Sequence, residues 1–157
     1  MNVLPLNLVP ICHPCNNIKL ERRPKGSRER FLHPYFDRLP QNERWLFAEL
    51  KRSGDGPVLT FRAELDKQTH GALAYRLEYH FRELELDRRF KEGSATILVE
   101  LEAILDEHLN NLDAIQMAAH YDGLARRSLR LHGNRLETAA LFAAAENEEY
   151  CSGGFRN

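Results

Sequence analysis

Apolar residues recur every three or four positions through the second half of this 157-residue chain, and this spacing constrains its fold more than any other feature. The spacing predicts four helices. The first begins near residue 69, the second spans Ile97–Leu109, the third runs from about Leu112 to Leu131 and the fourth covers Arg135–Glu146. Because each helix would have one apolar face, we expect a C-terminal helical bundle.

Two short apolar runs precede the helices and are typical of a β-hairpin. Trp45–Lys51 and Val58–Leu65 flank the turn sequence Ser53-Gly54-Asp55-Gly56-Pro57. Apolar and polar residues alternate from Leu59 to Leu65, which indicates one buried and one solvent-facing side. The sequence therefore predicts an α+β chain that is mostly helical and contains one hairpin.

The composition is that of a globular protein, with 43% hydrophobic and 29% charged residues. No apolar run of about eighteen residues exists, so we expect no membrane-spanning helix. The N-terminus lacks the basic and apolar pattern of a signal peptide. Three cysteines are an odd number that forms no framework of disulfides and fits a reducing compartment. These features predict a cytoplasmic protein without a membrane partner.

Near its start the chain reads N-L-V-P-x-C-x-x-C-N-x-x-K, from Asn7 to Lys19. Cys12 and Cys15 have the spacing of half a tetrahedral zinc site, which needs two further ligands. Two small buried cysteines are the alternative. A short helix is predicted over residues 16–22, with Asn16 as its cap. Asn7 would then be a turn residue.

Positive charge is concentrated directly after this motif. Residues 19–30 contain six basic residues against two glutamates: Lys19, Arg22, Arg23, Lys25, Arg28 and Arg30. Residues 1–66 hold 11 Lys and Arg against 8 Asp and Glu, whereas residues 67–150 hold 10 against 15. A solvated loop and a nucleic-acid contact are equally favoured at this position. The candidate phosphate contacts are Lys19, Arg22, Arg23 and Lys25.

Several motifs together resemble one bacterial branch of the HNH endonuclease family over nearly the whole chain. They are the Asn7–Lys19 motif, the stretch His33-Pro34-Tyr35-Phe36-Asp37, Trp45-Leu46, the Val58–Phe61 strand and the closing Cys151-Ser152-Gly153-Gly154-Phe155. The resemblance implies a ββα-metal fold, in which two strands and a helix hold a divalent metal against the scissile phosphate of DNA. It also implies metal-dependent DNA hydrolysis in restriction or phage defence.

The resemblance assigns roles to individual residues. Asn7 corresponds to an asparagine that pins the loop, and Asn16 corresponds to the helix residue that binds the catalytic Mg²⁺ or Mn²⁺. Both are candidate catalytic residues on this basis. Cys12 and Cys15 correspond to the second half of a structural zinc knuckle, so the implied metal ligands are Cys12, Cys15 and Asn16.

The sequence departs from the family before Asn7. The family's first C-x-x-C pair, its Asp-His dipeptide and its P-K segment have no counterpart, and we interpret the chain as N-terminally shortened. The absent histidine is the general base, typically worth about 10²–10⁴-fold in rate, so impaired activity is predicted. The expected segments are a partial HNH motif over 1–37, the hairpin region over 38–66 and the helical region over 67–157.

Two other interpretations stay open. The chain could be a non-catalytic helical subunit that binds nucleic acid or a protein partner encoded in the same operon, or it could be a gene fragment without function. Among the remaining side chains, Tyr35, Phe36 and Trp45 are expected in the core rather than on a base-stacking surface. His33 is expected to pack with them, and no nucleophilic role is expected for Cys151.

Overall fold

The computed structural model of the protein describes residues 12–22, 24–54 and 56–155. Its helices are α1 (His13–Glu21), α2 (Lys67–His70), α3 (Ala72–Glu83), α4 (Leu86–Glu92), α5 (Ala95–His108), α6 (Ala114–His132), α7 (Leu136–Ala145) and α8 (Glu148–Cys151), and its strands are β1 (Leu46–Ser53) and β2 (Gly56–Ala63). Helices hold 56% of the described residues and strands hold 11%. The predicted class, α+β and mostly helical, is therefore confirmed.

The two strands form the predicted hairpin. They pair antiparallel, from Leu46 opposite Ala63 to Ser53 opposite Gly56. Buried and more exposed residues alternate along most of both strands, because successive side chains point to opposite faces of a sheet. On the buried face Leu50 lies opposite Leu59.

The chain forms two compact units, each built from two stretches of sequence. The N-terminal unit comprises the described residues of Met1–Leu39 together with Leu65–Glu85. The C-terminal unit comprises those of Pro40–Glu64 and Leu86–Asn157. The hairpin therefore belongs to the C-terminal unit, although it precedes α2 and α3 in the sequence.

Helix α7 is central to the C-terminal unit, where it packs against β1, α5, α6 and α8. Most of its buried side chains are small, which lets neighbouring elements approach its backbone: Thr138, Ala139, Ala140, Ala143 and Ala144. Directly before α7, the Asn134 side-chain oxygen accepts the N–H groups of Trp45 and Leu46 at 2.9 and 3.1 Å. These bonds fix the start of β1.

The N-terminal unit contains α1, α2 and α3. Its buried apolar residues are Cys15, Leu65, Ala74, Leu77, Tyr79 and Leu84. The Asp66 carboxylate caps α2 by accepting the Thr69 N–H at 2.8 Å. Gly71, with φ of 51°, joins α2 to α3 in a conformation that favours glycine.

The sequence did not predict α4 and α8, nor the burial of residues in the closing motif at 151–155. Cys151 ends α8 and is buried, and Phe155 is also buried, with its ring centroid 5.5 Å from that of Tyr150. Among the described residues, no helix combines the length and the apolar character needed to cross a lipid bilayer.

Candidate nucleic-acid interface

The C-x-x-C motif forms the beginning of α1. Cys12 is the N-cap residue and Cys15 lies in the first turn, where the Asn16 N–H donates to the Cys12 carbonyl at 3.0 Å. Pro14 favours this early start because a proline in the first turn lacks only an N–H that would have no helical acceptor. The helix begins three residues before the predicted position, so the prediction that Asn16 caps it is wrong.

The two cysteines offer half of the ligands that zinc needs. Cys12 is exposed and Cys15 is buried, and their spacing puts them on one side of the first turn. Across residues 12–22, 24–54 and 56–155, no three His, Cys, Asp or Glu side chains form a group that could hold a metal ion. The described residues thus do not fit a complete structural zinc site.

Asn16 is exposed immediately after the buried Cys15. Its amide oxygen is a hard ligand of the kind that Mg²⁺ accepts, and Mg²⁺ commonly takes few protein ligands and completes its shell with water and phosphate oxygens. The chemistry of its side chain therefore suits one ligand of a hydrated divalent ion. The other predicted catalytic residue, Asn7, lies outside the described residues.

The predicted phosphate contacts follow Asn16 on α1 and in the loop after it. The Lys19 ammonium lies 5.3 Å from the centroid of the Phe31 ring, and Arg22 Nε lies 3.4 Å from a Glu83 carboxylate oxygen. Lys25 is exposed. Arg23 is not among the described residues.

A groove of about 520 Å³ lies between the end of α1, the following loop and α3. Three basic residues, three acidic residues and one tyrosine line it: Arg22, Lys25, Arg82, Glu21, Glu29, Glu83 and Tyr79. Burial raises the pKa of Tyr79, and the carboxylates of Glu83 and Glu29 add to the effect. The phenol therefore stays protonated at neutral pH and can donate a hydrogen bond.

Residues 31 and 32 pack onto α3. The centroid of the Phe31 ring lies 5.3 Å from that of Tyr79 and 5.8 Å from that of His80. The Leu32 N–H donates to Nδ1 of His80 at 3.1 Å. Burial, assisted by the charge of Lys19, lowers the pKa of His80 to about 4. His80 is thus a neutral imidazole that anchors the chain leading to residue 33.

The aromatic residues of the next turn lie at the surface. The side chains of Tyr35 and Phe36 are 55% and 66% exposed, so the prediction that they belong to the core is wrong. His33 does pack with them, as predicted, with its ring centroid 4.5 Å from that of Phe36. Trp45 is half-buried and donates its indole N–H to the Pro40 carbonyl at 3.1 Å.

Residues of α2 and α3 contact the basic stretch or line the groove beside it, and no pattern in the sequence predicted them. The Arg28 guanidinium lies 4.5 Å from the centroid of the Tyr75 ring, and Lys67 lies 5.0 Å from it. Arg82 lines the groove beside Tyr79. Lys67, Tyr75 and Arg82 lie about 40 positions or more beyond the basic stretch, and no local pattern in the sequence links them to it.

Cys151, in the C-terminal unit, has the properties of a structural thiol. It is 1% exposed and its sulfur donates to the Ala144 carbonyl at 3.2 Å. Burial raises the pKa of this thiol to about 11. At neutral pH Cys151 is therefore mostly in the thiol form, whereas the thiolate is the nucleophilic form.

Comparison of the chain with models of protein families, with curated proteins and with solved structures finds no match. The likeness to HNH endonucleases therefore remains a resemblance carried by the sequence motifs. The geometry that bears on function is that of α1, the basic stretch after it and the face of α3 on which residues 31 and 32 lie.

Proposed function

We propose that the chain is an HNH-type nuclease polypeptide that binds DNA and hydrolyses its phosphodiester bonds with Mg²⁺ or Mn²⁺. The observation that carries the proposal is the position of Asn16. It is exposed in the first turn of α1, directly after the C-x-x-C pair, on the helix that leads into the basic residues 19–30. The resemblance favours a role in restriction or phage defence, and the odd number of three cysteines favours the cytoplasm.

Each residue has a defined task in this proposal. Asn16 offers its amide oxygen as one metal ligand. A divalent ion held there would supply Lewis-acid chemistry, polarising the scissile phosphate and stabilising the leaving oxygen. Lys19, Arg22 and Lys25 hold neighbouring phosphates and so set the register of the DNA backbone. The ion pair of Arg22 with Glu83 is worth at most about 1 kcal/mol because Arg22 is largely exposed, so a phosphate can compete for the guanidinium.

The second candidate function is nucleic-acid binding without cleavage, by a helical subunit that works with a protein partner encoded in the same operon. This candidate is favoured because the described residues show basic side chains but no group of metal ligands. No metal-holding group of three acidic, His or Cys side chains occurs in the described parts of the chain. The N-terminal unit, by contrast, has 10 Lys and Arg against 7 Asp and Glu.

A nicking assay with supercoiled plasmid tests the nuclease proposal. We expect slow nicking by the full chain in Mg²⁺ or Mn²⁺, in keeping with the impaired activity predicted from the sequence, and none in EDTA. Asn16→Ala should slow nicking about tenfold or more, the usual scale for damage to a metal site. Asn17→Ala is the matched control, because it removes an exposed amide one position along the same helix and should change the rate less than about twofold.

The outcomes separate the two candidates. If Asn16→Ala and Asn17→Ala reduced the nicking rate equally, the assignment of Asn16 as a metal ligand would be contradicted. Salt-sensitive DNA binding without any metal-dependent nicking would support the second candidate over the first. A chain that neither binds nor nicks DNA would contradict both.

A further inference from the structure

The turn at residues 33–37 presents two adjacent aromatic side chains to solvent. Tyr35 is 55% exposed and Phe36 is 66% exposed. The described residues expose other large apolar side chains on α1, α5 and α6, but those are aliphatic: Leu20, Val99, Ile115 and Leu131. The turn is thus the one place in the described chain where neighbouring aromatic rings are both exposed.

Hydrogen bonds and ring contacts hold the turn that carries these rings. The His33 N–H donates to the Asp37 carboxylate at 2.7 Å, and the Asp37 N–H donates back to the His33 carbonyl at 2.9 Å. The Tyr35 N–H donates to Nδ1 of His33 at 3.2 Å, and the His33 ring packs against both aromatic rings. Fixed aromatic side chains lose little conformational entropy when a ligand stacks on them.

An ion pair fastens the turn to α3. The Asp37 carboxylate accepts a hydrogen bond from the guanidinium of Arg76, and both side chains are mostly buried, with 11% and 21% exposure. The same carboxylate also holds the His33 N–H. The position of the aromatic rings is therefore set by the helix and not by the loop alone.

The turn and the basic residues lie along one face of α3. Arg76 contacts the turn, His80 receives the Leu32 N–H, and Glu83 pairs with Arg22. These positions on α3 are four and three residues apart, so they share a face of the helix. Arg76 and Glu83, seven positions apart, are separated by about 10 Å along the helix axis.

We propose that Tyr35 and Phe36 form a stacking platform for unpaired nucleobases, while Arg22 and Lys25 bind phosphates of the same strand. The charge excess of the N-terminal unit favours a polyanion as the occupant over an apolar protein surface. Stacking on an exposed ring requires a base face that is free, as in a single strand or a locally opened duplex. The inference rests on the proposed nucleic-acid binding, but it does not require cleavage.

Fluorescence anisotropy with the full chain tests the platform. The probes are a labelled oligothymidine and a duplex of equal length. We expect Tyr35→Ala and Phe36→Ala each to weaken binding of the single strand at least about fivefold, within the range of base–aromatic stacking. Phe36→Trp should retain binding, whereas Phe36→Leu, which keeps an apolar side chain without a ring, should not.

Leu20→Ala is the matched control, since Leu20 is an exposed apolar residue of the same unit, 76% exposed on α1. Its single-strand affinity should stay within about twofold of the original chain. Circular dichroism would verify that every variant remains folded, as expected for substitutions at exposed positions.

Four results would overturn the inference. Unchanged single-strand affinity in Tyr35→Ala and Phe36→Ala, with binding by the original chain intact, would reject the platform and leave the proposed function standing. Equal losses of affinity for the single strand and the duplex in these variants would show that the rings do not stack on unpaired bases. Concentration-dependent dimers that Phe36→Ala abolishes would assign the turn to a contact between two copies. An original chain that binds no nucleic acid would reject the proposed function itself.

Discussion

At the scale of single residues, His80 connects pH to the stability of the N-terminal unit. Its pKa of about 4 in the fold lies below the ordinary value of 6.5, because burial disfavours the charged imidazolium. The unfolded chain therefore binds the proton more tightly than the folded chain. The contribution of the neutral ring is complete above pH 6.5 and is lost as the pH falls from 6.5 towards 4.

We expect a shift from about pH 7.5 to about pH 5 to destabilise the N-terminal unit by about 1–2 kcal/mol through His80. The Leu32 amide reports this directly, because its N–H donates to the imidazole. Its hydrogen-exchange protection factor, measured by NMR, should fall at the lower pH. In His80→Gln, which keeps an acceptor but does not titrate, the fall should be smaller.

His132→Gln is the control for this experiment, since His132 is exposed in the C-terminal unit. It should leave the pH dependence of Leu32 protection unchanged. The assignment to His80 would be contradicted if His80→Gln showed the same pH dependence as the original chain.

Residue-level predictions from the sequence failed where tertiary contacts decide the conformation. Tyr35 and Phe36 were expected in the core because dense aromatic sequence is typical of a core. Both are exposed on a turn whose Asp37 is held by Arg76, which lies 39 positions later in the sequence. Asn16 was expected as a cap because asparagine is a good one, but Pro14 supports a start at His13.

At the scale of secondary structure, predictions succeeded where the periodicity is long. The hairpin and helices α5, α6 and α7 follow their predicted positions within a few residues. Helix α4 has seven residues, and five of them are charged. It therefore lacks the apolar spacing that would predict a helix. It is held in place by the Phe61 N–H, which donates to Asp87 at 2.7 Å, and by the contact of the Phe61 and Phe90 rings.

The capping box of α6 is expected to stabilise the C-terminal unit. Asp113 accepts the Gln116 N–H at 2.8 Å, and the Gln116 side chain accepts the Asp113 N–H at 3.0 Å. Asp113→Ala should lower the free energy of unfolding by about 1 kcal/mol. Urea denaturation followed by Trp45 fluorescence measures this, because Trp45 belongs to the same unit.

Asp122→Ala serves as the control on the same helix. It removes the exposed ion pair with Arg126, which should cost less than about 0.5 kcal/mol. Equal unfolding free energies for Asp113→Ala and Asp122→Ala would contradict a stabilising cap at Asp113.

At the scale of the whole molecule, the two units carry net charges of opposite sign although the chain is nearly neutral. The net charge is −1, yet the N-terminal unit has 10 basic against 7 acidic residues, whereas the C-terminal unit has 12 against 16. The sequence predicted the direction of this imbalance from residues 1–66. It could not predict that the hairpin belongs to the C-terminal unit while residues 65–85 belong to the N-terminal unit, since both assignments depend on contacts distant in sequence.

The salt dependence of DNA binding tests most directly the claim that the N-terminal unit binds DNA phosphates. Affinity for duplex DNA would be measured from about 50 to about 200 mM salt for the original chain and for two double variants. The first variant combines Arg22→Gln with Lys25→Gln. The second, a control, combines Lys51→Gln with Lys91→Gln, two exposed residues of the C-terminal unit. We predict that the first pair lowers the slope of log affinity against log salt by roughly 1–2, about 0.9 per lost phosphate contact, and that the control pair leaves it unchanged. Identical slopes for the two pairs, or binding that does not respond to salt, would contradict the claim.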